Sequence, residues 1–325
     1  MAVSRRDFLF LSLGLGGGAL GAGWLARHRP AYSRPALAAG SPHSALETGY
    51  DAMIAPPDEL GPRALDDLTI PPGPGSGSRS VDLWVAEQAL TVARHRTMAA
   101  WTFNGRIPGP IIRAGAGEEL SIRFRNLGGH PHNLHFHGAH SPADDGWEPV
   151  PAGAETRRRI RAGPPGLHPY HCDMTPAPEH ISRGLYGAFI VDPPGGRAAA
   201  REFVLVLGGF DTDGDGRSDL YGWNGVAGYY MKYPIKVPAG ELVRIYLVNM
   251  VGDEPVVSFH LHAQVFDVYR SGSDVHPDER TDVVTLAQSE RAILEFRLPE
   301  RGRYMFHPHQ ARLAERGAMG WFAAV

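Results

Sequence analysis

The stretch His168-Pro169-Tyr170-His171-Cys172-Asp173 decides how this chain is interpreted. Cys172 is the only cysteine among 325 residues, so it can form no disulfide within the chain. Two further histidines, His180 and His132, lie eight residues after it and forty residues before it. A thiolate with two imidazoles from separate segments is the ligand set of a blue-copper electron-transfer site. The alternatives are a small buried thiol or a catalytic thiol beside a histidine.

Many of the 16 histidines occur in pairs with one residue between them. The pairs are His135 with His137, His260 with His262, and His307 with His309. In a strand, residues i and i+2 share a face, so each pair presents two imidazoles side by side. One pair alone would be a weak signal. Three pairs together with His171 indicate metal binding, because packing does not require this pattern.

After the first 78 residues, the chain shows short segments of alternating apolar and polar residues, broken by Gly and Pro. Leu120, Ile122 and Phe124 alternate with polar neighbours, and residues 294–298 repeat the pattern. No long stretch has the 3.6-residue period of a helix. The pattern predicts an all-β fold of packed antiparallel sheets.

The second half of the chain repeats the first. Asn104-Gly105 recurs as Asn224-Gly225, and His135-Phe136-His137 recurs as His260-Leu261-His262. We therefore predict two copies of one β-sandwich, residues 79–194 and 195–325, with the boundary near residues 193–196. Pro308 stands at the position of Cys172, so only the first copy carries the thiolate set.

The N-terminus is interpreted as an export signal. Ser4-Arg5-Arg6-Asp7-Phe8-Leu9-Phe10 is a twin-arginine pattern, and Ala36-Leu37-Ala38 offers a cleavage site, so residues 1–38 are assigned to the signal. The protein is then periplasmic or extracellular; an uncleaved membrane anchor is the alternative. Residues 39–78 are rich in Pro and Gly and predict a linker or wrapping arm. The formal net charge of −3 does not favour a nucleic-acid partner.

Five segments together resemble the two-domain multicopper oxidases, the small laccase-like branch related to copper nitrite reductases. They are residues 104–110, 132–138, 170–187, 258–262 and 306–310. The resemblance covers residues 79–325. It implies two cupredoxin-like Greek-key β-sandwich domains and a head-to-tail homotrimer. A copper cluster would lie where the first domain of one subunit meets the second domain of the next.

Site residues follow from the resemblance position by position. A type 1 copper is implied at His132, Cys172 and His180, with Leu185 in place of an axial methionine. The other implied ligands are His135 and His260 for type 2 copper, His137, His171 and His309 for one type 3 copper, and His262, His307 and Asp173 for the other. Asp173 replaces a family histidine, which puts the last copper in question. Electrons would pass through the Cys172–His171 link, and Asp173 could relay protons.

The sequence thus predicts a copper oxidoreductase with up to four coppers per chain. Its expected reaction is one-electron oxidation of phenolic, amine or metal-ion donors, coupled to reduction of O2 to water. A copper nitrite reductase is the alternative. Those enzymes carry an aspartate at the position of His135, but they also lack a histidine at the position of Asp173. A non-catalytic copper carrier or electron-transfer protein is a third hypothesis.

A weaker signal concerns calcium. Residues 211–219 resemble the start of a calcium loop, with Asp211, Asp213, Asp215 and Asp219 as candidate ligands. Gly222 stands where a bidentate glutamate is expected, so a hairpin turn rich in Asp and Gly is the other interpretation.

Overall fold

The computed structural model describes Asp51, residues 53–60, Pro71 and residues 79–325. The predicted export signal and most of the predicted arm, residues 39–78, lie outside the described residues. Within the arm, Pro57–Leu60 forms a short 3-10 helix. Ile54, Ala55 and Leu60 are buried, so this part of the arm packs against the body of the protein. No helix in the described ranges is long and apolar enough to cross a membrane.

The first half of the described chain forms two four-stranded sheets. Its strands are β1 (Arg79–Ala93), β2 (Arg96–Phe103), β3 (Ile112–Gly115), β4 (Glu119–Asn126), β5 (His135–Phe136), β6 (Glu155–Arg161), β7 (Gly166–His171) and β8 (Tyr186–Asp192). The sheet orders are β2-β1-β4-β6 and β3-β8-β7-β5. Side chains from both sheets, including Phe124, Phe136 and Cys172, share one apolar core.

The second half forms a six-stranded and a five-stranded sheet. Its strands are β9 (Arg201–Phe210), β10 (Leu220–Trp223), β11 (Ile235–Val237), β12 (Leu242–Met250), β13 (Val256–Leu261), β14 (Phe266–Tyr269), β15 (Glu279–Thr281), β16 (Val283–Ala287), β17 (Arg291–Arg297), β18 (Gly302–His307) and β19 (Gly320–Ala324). The orders are β10-β9-β12-β17-β14-β15 and β11-β19-β18-β13-β16. Three short helices complete the described fold, α1 (Ala177–Ser182), α2 (Tyr229–Lys232) and α3 (Ala311–Glu315), besides a 3-10 turn at Pro142–Asp144.

The all-β prediction is confirmed, and β4 shows why the pattern worked. Leu120, Ile122 and Phe124 are each 1% exposed, while the residues between them are half-buried. Strands β9 and β12 lack this alternation because both of their faces are covered. One face lies in the second core, and the other packs Val204 and Tyr246 against Leu90 and Tyr186 of the first half.

The internal repeat extends to individual hydrogen bonds. Asn104 and Asn224 adopt left-handed backbone conformations with φ of 54° and 53°. The Oδ1 of Asn104 accepts the N–H of Trp84 at 2.8 Å, and that of Asn224 accepts the N–H of Val206 at 2.8 Å. Each Asn-Gly turn is therefore bound in the same way to the sixth residue of the neighbouring strand, as expected for two copies of one unit.

Candidate metal centre

His132, Cys172 and His180, which we call the type 1 set, converge in the core of the first half. Cys172 directly follows β7, and His180 lies on α1. The Nδ1 atoms of His132 and His180 lie 3.8 and 3.2 Å from Sγ of Cys172, and 3.2 Å from each other. Two imidazole nitrogens and a thiol thus point at one small volume, as the sequence predicted.

The surroundings of the type 1 set exclude water. Cys172 is fully buried, and burial raises the pKa of its thiol to about 11. Burial also lowers the pKa of His132 to about 4, so this imidazole is neutral at pH 7. A metal binding here must displace the thiol proton but finds the imidazole lone pair free. The N–H of Asn133 points at Sγ from 3.4 Å and would stabilise a thiolate.

Leu185 is fully buried in the same core as Cys172. Its backbone carbonyl accepts the N–H of Cys172 at 3.0 Å, which ties the two segments together. A leucine side chain has no ligand atom.

The first histidine half-set consists of His135, His137 and His171. His135 on β5 is paired in register with His171 at the end of β7. The Nε2 atoms of His137 and His171 approach to 2.7 Å. Burial, followed by the charge of His171, lowers the pKa of His137 to about 3, so its ring is neutral at pH 7. Cys172 joins this half-set to the type 1 set through a single peptide bond.

The second histidine half-set consists of His260, His262, His307 and His309. His260 on β13 is paired in register with His307 at the end of β18, which repeats the pairing in the first half. The Nε2 atoms of His262 and His307 lie 2.9 Å apart. The ring of His309 lies 4.8 Å from that of His260, centroid to centroid. Both half-sets thus have the same strand geometry.

Hydrogen bonds to backbone carbonyls fix which nitrogen three of these rings offer to a metal. The Nδ1–H groups of His171, His260 and His307 donate to backbone carbonyls of Cys172, Asp282 and Pro308 at 3.0, 2.8 and 2.9 Å. Because a carbonyl only accepts, Nδ1 carries the proton and Nε2 keeps the lone pair. The type 1 set differs, since its imidazoles present Nδ1.

Asp145 and His140 contribute a contact that the motifs did not reveal. Oδ1 of Asp145 lies 2.6 Å from Nδ1 of His135 and 3.3 Å from Nε2 of His140. The carboxylate orients His135 in the way that acceptors commonly orient metal-bound histidines. The next residue, Gly146, has φ of +85°, and a Cβ there would meet the carbonyl of Leu134 at 2.1 Å. The position after Asp145 thus requires glycine, and the Asp145-Gly146 pair is the sequence feature that could have indicated this turn.

Asp173 does not join the histidines in a candidate metal-binding group of the described chain. Its side chain is exposed, and its backbone N–H donates to Oδ1 of Asn133 at 2.6 Å. Among the described residues, no potential metal-binding group includes Asp173, and none combines the two half-sets. The predicted pairing of His135 with His260, and of Asp173 with His262 and His307, is therefore not made within one chain.

The acidic loop, residues 211–219, brings together three of its four candidate calcium ligands, Asp211, Asp213 and Asp219. These carboxylates accept hydrogen bonds from backbone N–H groups of the same loop. Such bonds also stabilise a turn without any ion. Calcium binding stays a prediction.

Family models described as multicopper oxidase match residues 85–196 and 206–325. Among curated proteins, the copper-containing nitrite reductase of Neisseria meningitidis serogroup B is 30% identical over 264 residues. That match covers 74% of this chain and 67% of the enzyme.

Solved structures of a multicopper oxidase and of a copper nitrite reductase have a similar fold. A crystal structure of a multicopper oxidase aligns with a TM-score of 0.74 at 40% identity, over 76% of this chain and 89% of that one. The copper nitrite reductase of Nitrosomonas europaea aligns with a TM-score of 0.69 at 26% identity, over 76% of this chain and 94% of that one.

Proposed function

Because the chain belongs to the multicopper oxidase family and is a copper oxidoreductase, we propose that it oxidises a small donor one electron at a time and reduces O2 to water. In balance, four donor electrons and four protons convert one O2 into two waters. The observation that carries the proposal is the second histidine half-set. It offers four imidazoles beyond those that the type 1 set and the first half-set require.

The residues present fit copper. A thiol and two imidazole nitrogens converge in the type 1 set, and paired Nε2 atoms approach within 3 Å in each half-set, at 2.7 and 2.9 Å. Thiolate and imidazole are ligands that copper prefers. Copper bound here would supply one-electron redox chemistry between the donor and O2.

The chain itself determines where the metal-binding side chains lie and how they are oriented. Cys172 and His171 are covalent neighbours, so the donor side and the O2 side are held at a fixed separation. We propose that Leu185, where relatives carry a methionine, leaves the type 1 set without a fourth ligand, which favours a high reduction potential. Asp145 and the backbone carbonyls hold four of the seven half-set rings in one tautomer, so these four need not turn when a ligand binds.

We propose that the two half-sets meet between chains in a head-to-tail homotrimer. Each half-set contains part of the implied cluster, and a heterologous contact must close into a ring to avoid open filaments. Trp147, two residues beyond Asp145, is 66% exposed, and Val265, three residues beyond His262, is 43% exposed. Exposed apolar side chains beside each half-set suit a surface that a second copy covers.

The trimer is tested by light scattering of the copper-loaded protein together with oxygen uptake. Trp147→Glu is expected to shift the mass towards a monomer and to lower oxidase activity. Val275→Glu is the matched control, since Val275 is 63% exposed and its neighbour Asp274 contacts Arg197 and not a half-set histidine. A wild-type monomer with full oxidase activity would contradict the arrangement.

Copper nitrite reductase is the second candidate, and the similarity to enzymes of that name favours it. The two functions are separated by giving the copper-loaded protein one artificial reductant and either O2 or nitrite. We expect oxygen uptake to exceed nitrite reduction. Nitrite reduction without oxygen uptake would overturn the oxidase proposal.

Copper content depends on Asp173. We propose that the Asp173 carboxylate faces His262 and His307 of a neighbouring chain and completes a fourth copper site. The proposal expects about four coppers per chain, and Asp173→Ala should remove one while the type 1 colour is kept. If wild type holds four and the variant loses none, Asp173 is not a ligand.

We also propose export by the twin-arginine route, based on Arg5 and Arg6. Replacing both with lysine should leave the precursor in the cytoplasm, and N-terminal sequencing of the exported wild type should give a start near residue 39. A full-length exported protein would instead favour the anchor.

A further inference from the structure

A groove of about 990 Å³ lies beside the type 1 set. One wall comes from β1, β2 and α1 of the first half, and the other from the acidic loop after β9. Its volume is at the upper end of the range for pockets that take small organic ligands. The two histidine half-sets contribute no residue to the lining of this groove.

Trp101 connects the groove to the type 1 set. Its ring lies 5.1 Å from the ring of His132 and 4.7 Å from that of His180, centroid to centroid. It also lines the groove, where the guanidinium of Arg183 stacks on it at 4.8 Å. Trp101 therefore lies between the groove and both imidazoles.

Glu87 is the second residue that lies between the groove and the type 1 set. Its Oε1 accepts the N–H of Gly129 at 2.7 Å and that of His130 at 3.0 Å, so its position is fixed. The fully buried Nε2 of His132 points towards this carboxylate from 3.7 Å and has no hydrogen-bond partner in the described chain. A buried polar atom without a partner is costly, and here it is directed at a group that lines the groove.

The groove carries a net negative charge. Five carboxylates line it, those of Glu87, Glu179, Asp211, Asp213 and Asp253, against the two guanidinium groups of Arg183 and Arg217. Arg183 is paired with Glu179 at 3.0 Å, and Asp253 with Arg312 at 3.5 Å, so Glu87, Asp211 and Asp213 are the carboxylates left against Arg217. A cleft lined by one sign of charge concentrates ligands of the opposite sign.

We propose that this groove is the electron-donor site and that its carboxylates select cationic aromatic donors over anionic ones. The inference rests on the proposed function and specifies its substrate class. For a phenol, the step releases one electron to the type 1 site and one proton to water, and leaves a phenoxyl radical. Asp213, on the acidic loop, is a specificity-determining residue in this proposal.

The test uses two methoxyphenols with the same reacting ring, one carrying a trimethylammonium side chain and the other a sulfonate. Wild type should show a lower KM for the cation. Asp213→Asn should raise the KM for the cation about threefold and lower that for the anion, as expected for losing one charge about 6 Å away in water. Added salt should reduce the difference.

Asp215→Asn is the matched control. Asp213 and Asp215 each accept one backbone N–H two residues ahead, from Asp215 at 3.1 Å and Arg217 at 2.8 Å, and asparagine keeps that acceptor. Only Asp213 lines the groove, so Asp215→Asn should change KM less. Equal effects of the two variants, or equal KM values for cation and anion, would overturn the proposal.

Binding is also measured without turnover, by calorimetric titration of the copper-loaded protein with phenyltrimethylammonium and with benzenesulfonate. The cation should bind more tightly, and Asp213→Asn should weaken its binding about threefold. If the cation binds in this way but no donor supports oxygen uptake, the oxidase proposal fails and the groove assignment stands. If both donors support uptake equally, the groove assignment alone fails.

Discussion

Replacing Asp145 with alanine should weaken copper binding at the first histidine half-set by about 10- to 100-fold, or about 1.4–2.8 kcal/mol. The variant removes the acceptor that holds Nδ1 of His135 from 2.6 Å. Without it, the ring can turn or carry its proton on Nε2, and it must then reorganise before binding. The carboxylate is 37% exposed, so water replaces part of the lost contact. We therefore expect a value near tenfold.

The assay is copper retained per chain against increasing chelator, with the type 2 signal followed by electron paramagnetic resonance. Asp145→Asn keeps an acceptor without its charge and should fall between wild type and alanine. Asp144→Ala is the control, because Asp144 accepts a hydrogen bond from Ser141 at 2.6 Å and contacts no half-set histidine. Equal copper retention in Asp145→Ala and Asp144→Ala would refute the reasoning.

Three further outcomes are expected. Cys172→Ser should abolish the blue absorption of the copper-loaded protein, and a colourless wild type at full loading would contradict the type 1 assignment. Leu185→Met should lower the reduction potential measured by redox titration, since a thioether can then ligate. Copper-free protein should lose about 2 kcal/mol of unfolding free energy between pH 7 and 5 from His132 alone. Burial lowers the pKa of His132 to about 4 in the folded state. Below about pH 6.5 the unfolded state therefore binds a proton that the folded state does not, and stability falls as the pH falls. Urea titrations at both pH values measure this loss, and equal stabilities would contradict it.

The sequence was informative where chemistry repeats at a short spacing. Strand geometry predicted that the two rings of each His-x-His pair lie side by side, and the pairs that begin on β5 and β13 have ring centroids 5.3 and 4.9 Å apart. The alternation in β4 likewise identified its buried face. Both signals are local, so no knowledge of the tertiary fold was needed.

Contacts between distant segments could not be predicted in this way. Glu87 lies 45 residues before His132, and Trp101 lies 79 residues before His180, yet both surround the type 1 set. A single glutamate or tryptophan has no periodicity that marks its neighbours. The burial of both faces of β9 was also hidden, because it depends on how the two halves pack against each other.

The second copy shows that ring orientation does not depend on the cysteine side chain. Pro308 stands at the position of Cys172, yet its carbonyl accepts the Nδ1–H of His307 at 2.9 Å, as the Cys172 carbonyl accepts that of His171 at 3.0 Å. Any residue supplies this carbonyl, so the thiol can be lost without turning the neighbouring histidine. The duplicated fold can therefore keep two matching half-sets although only the first copy retains the thiol.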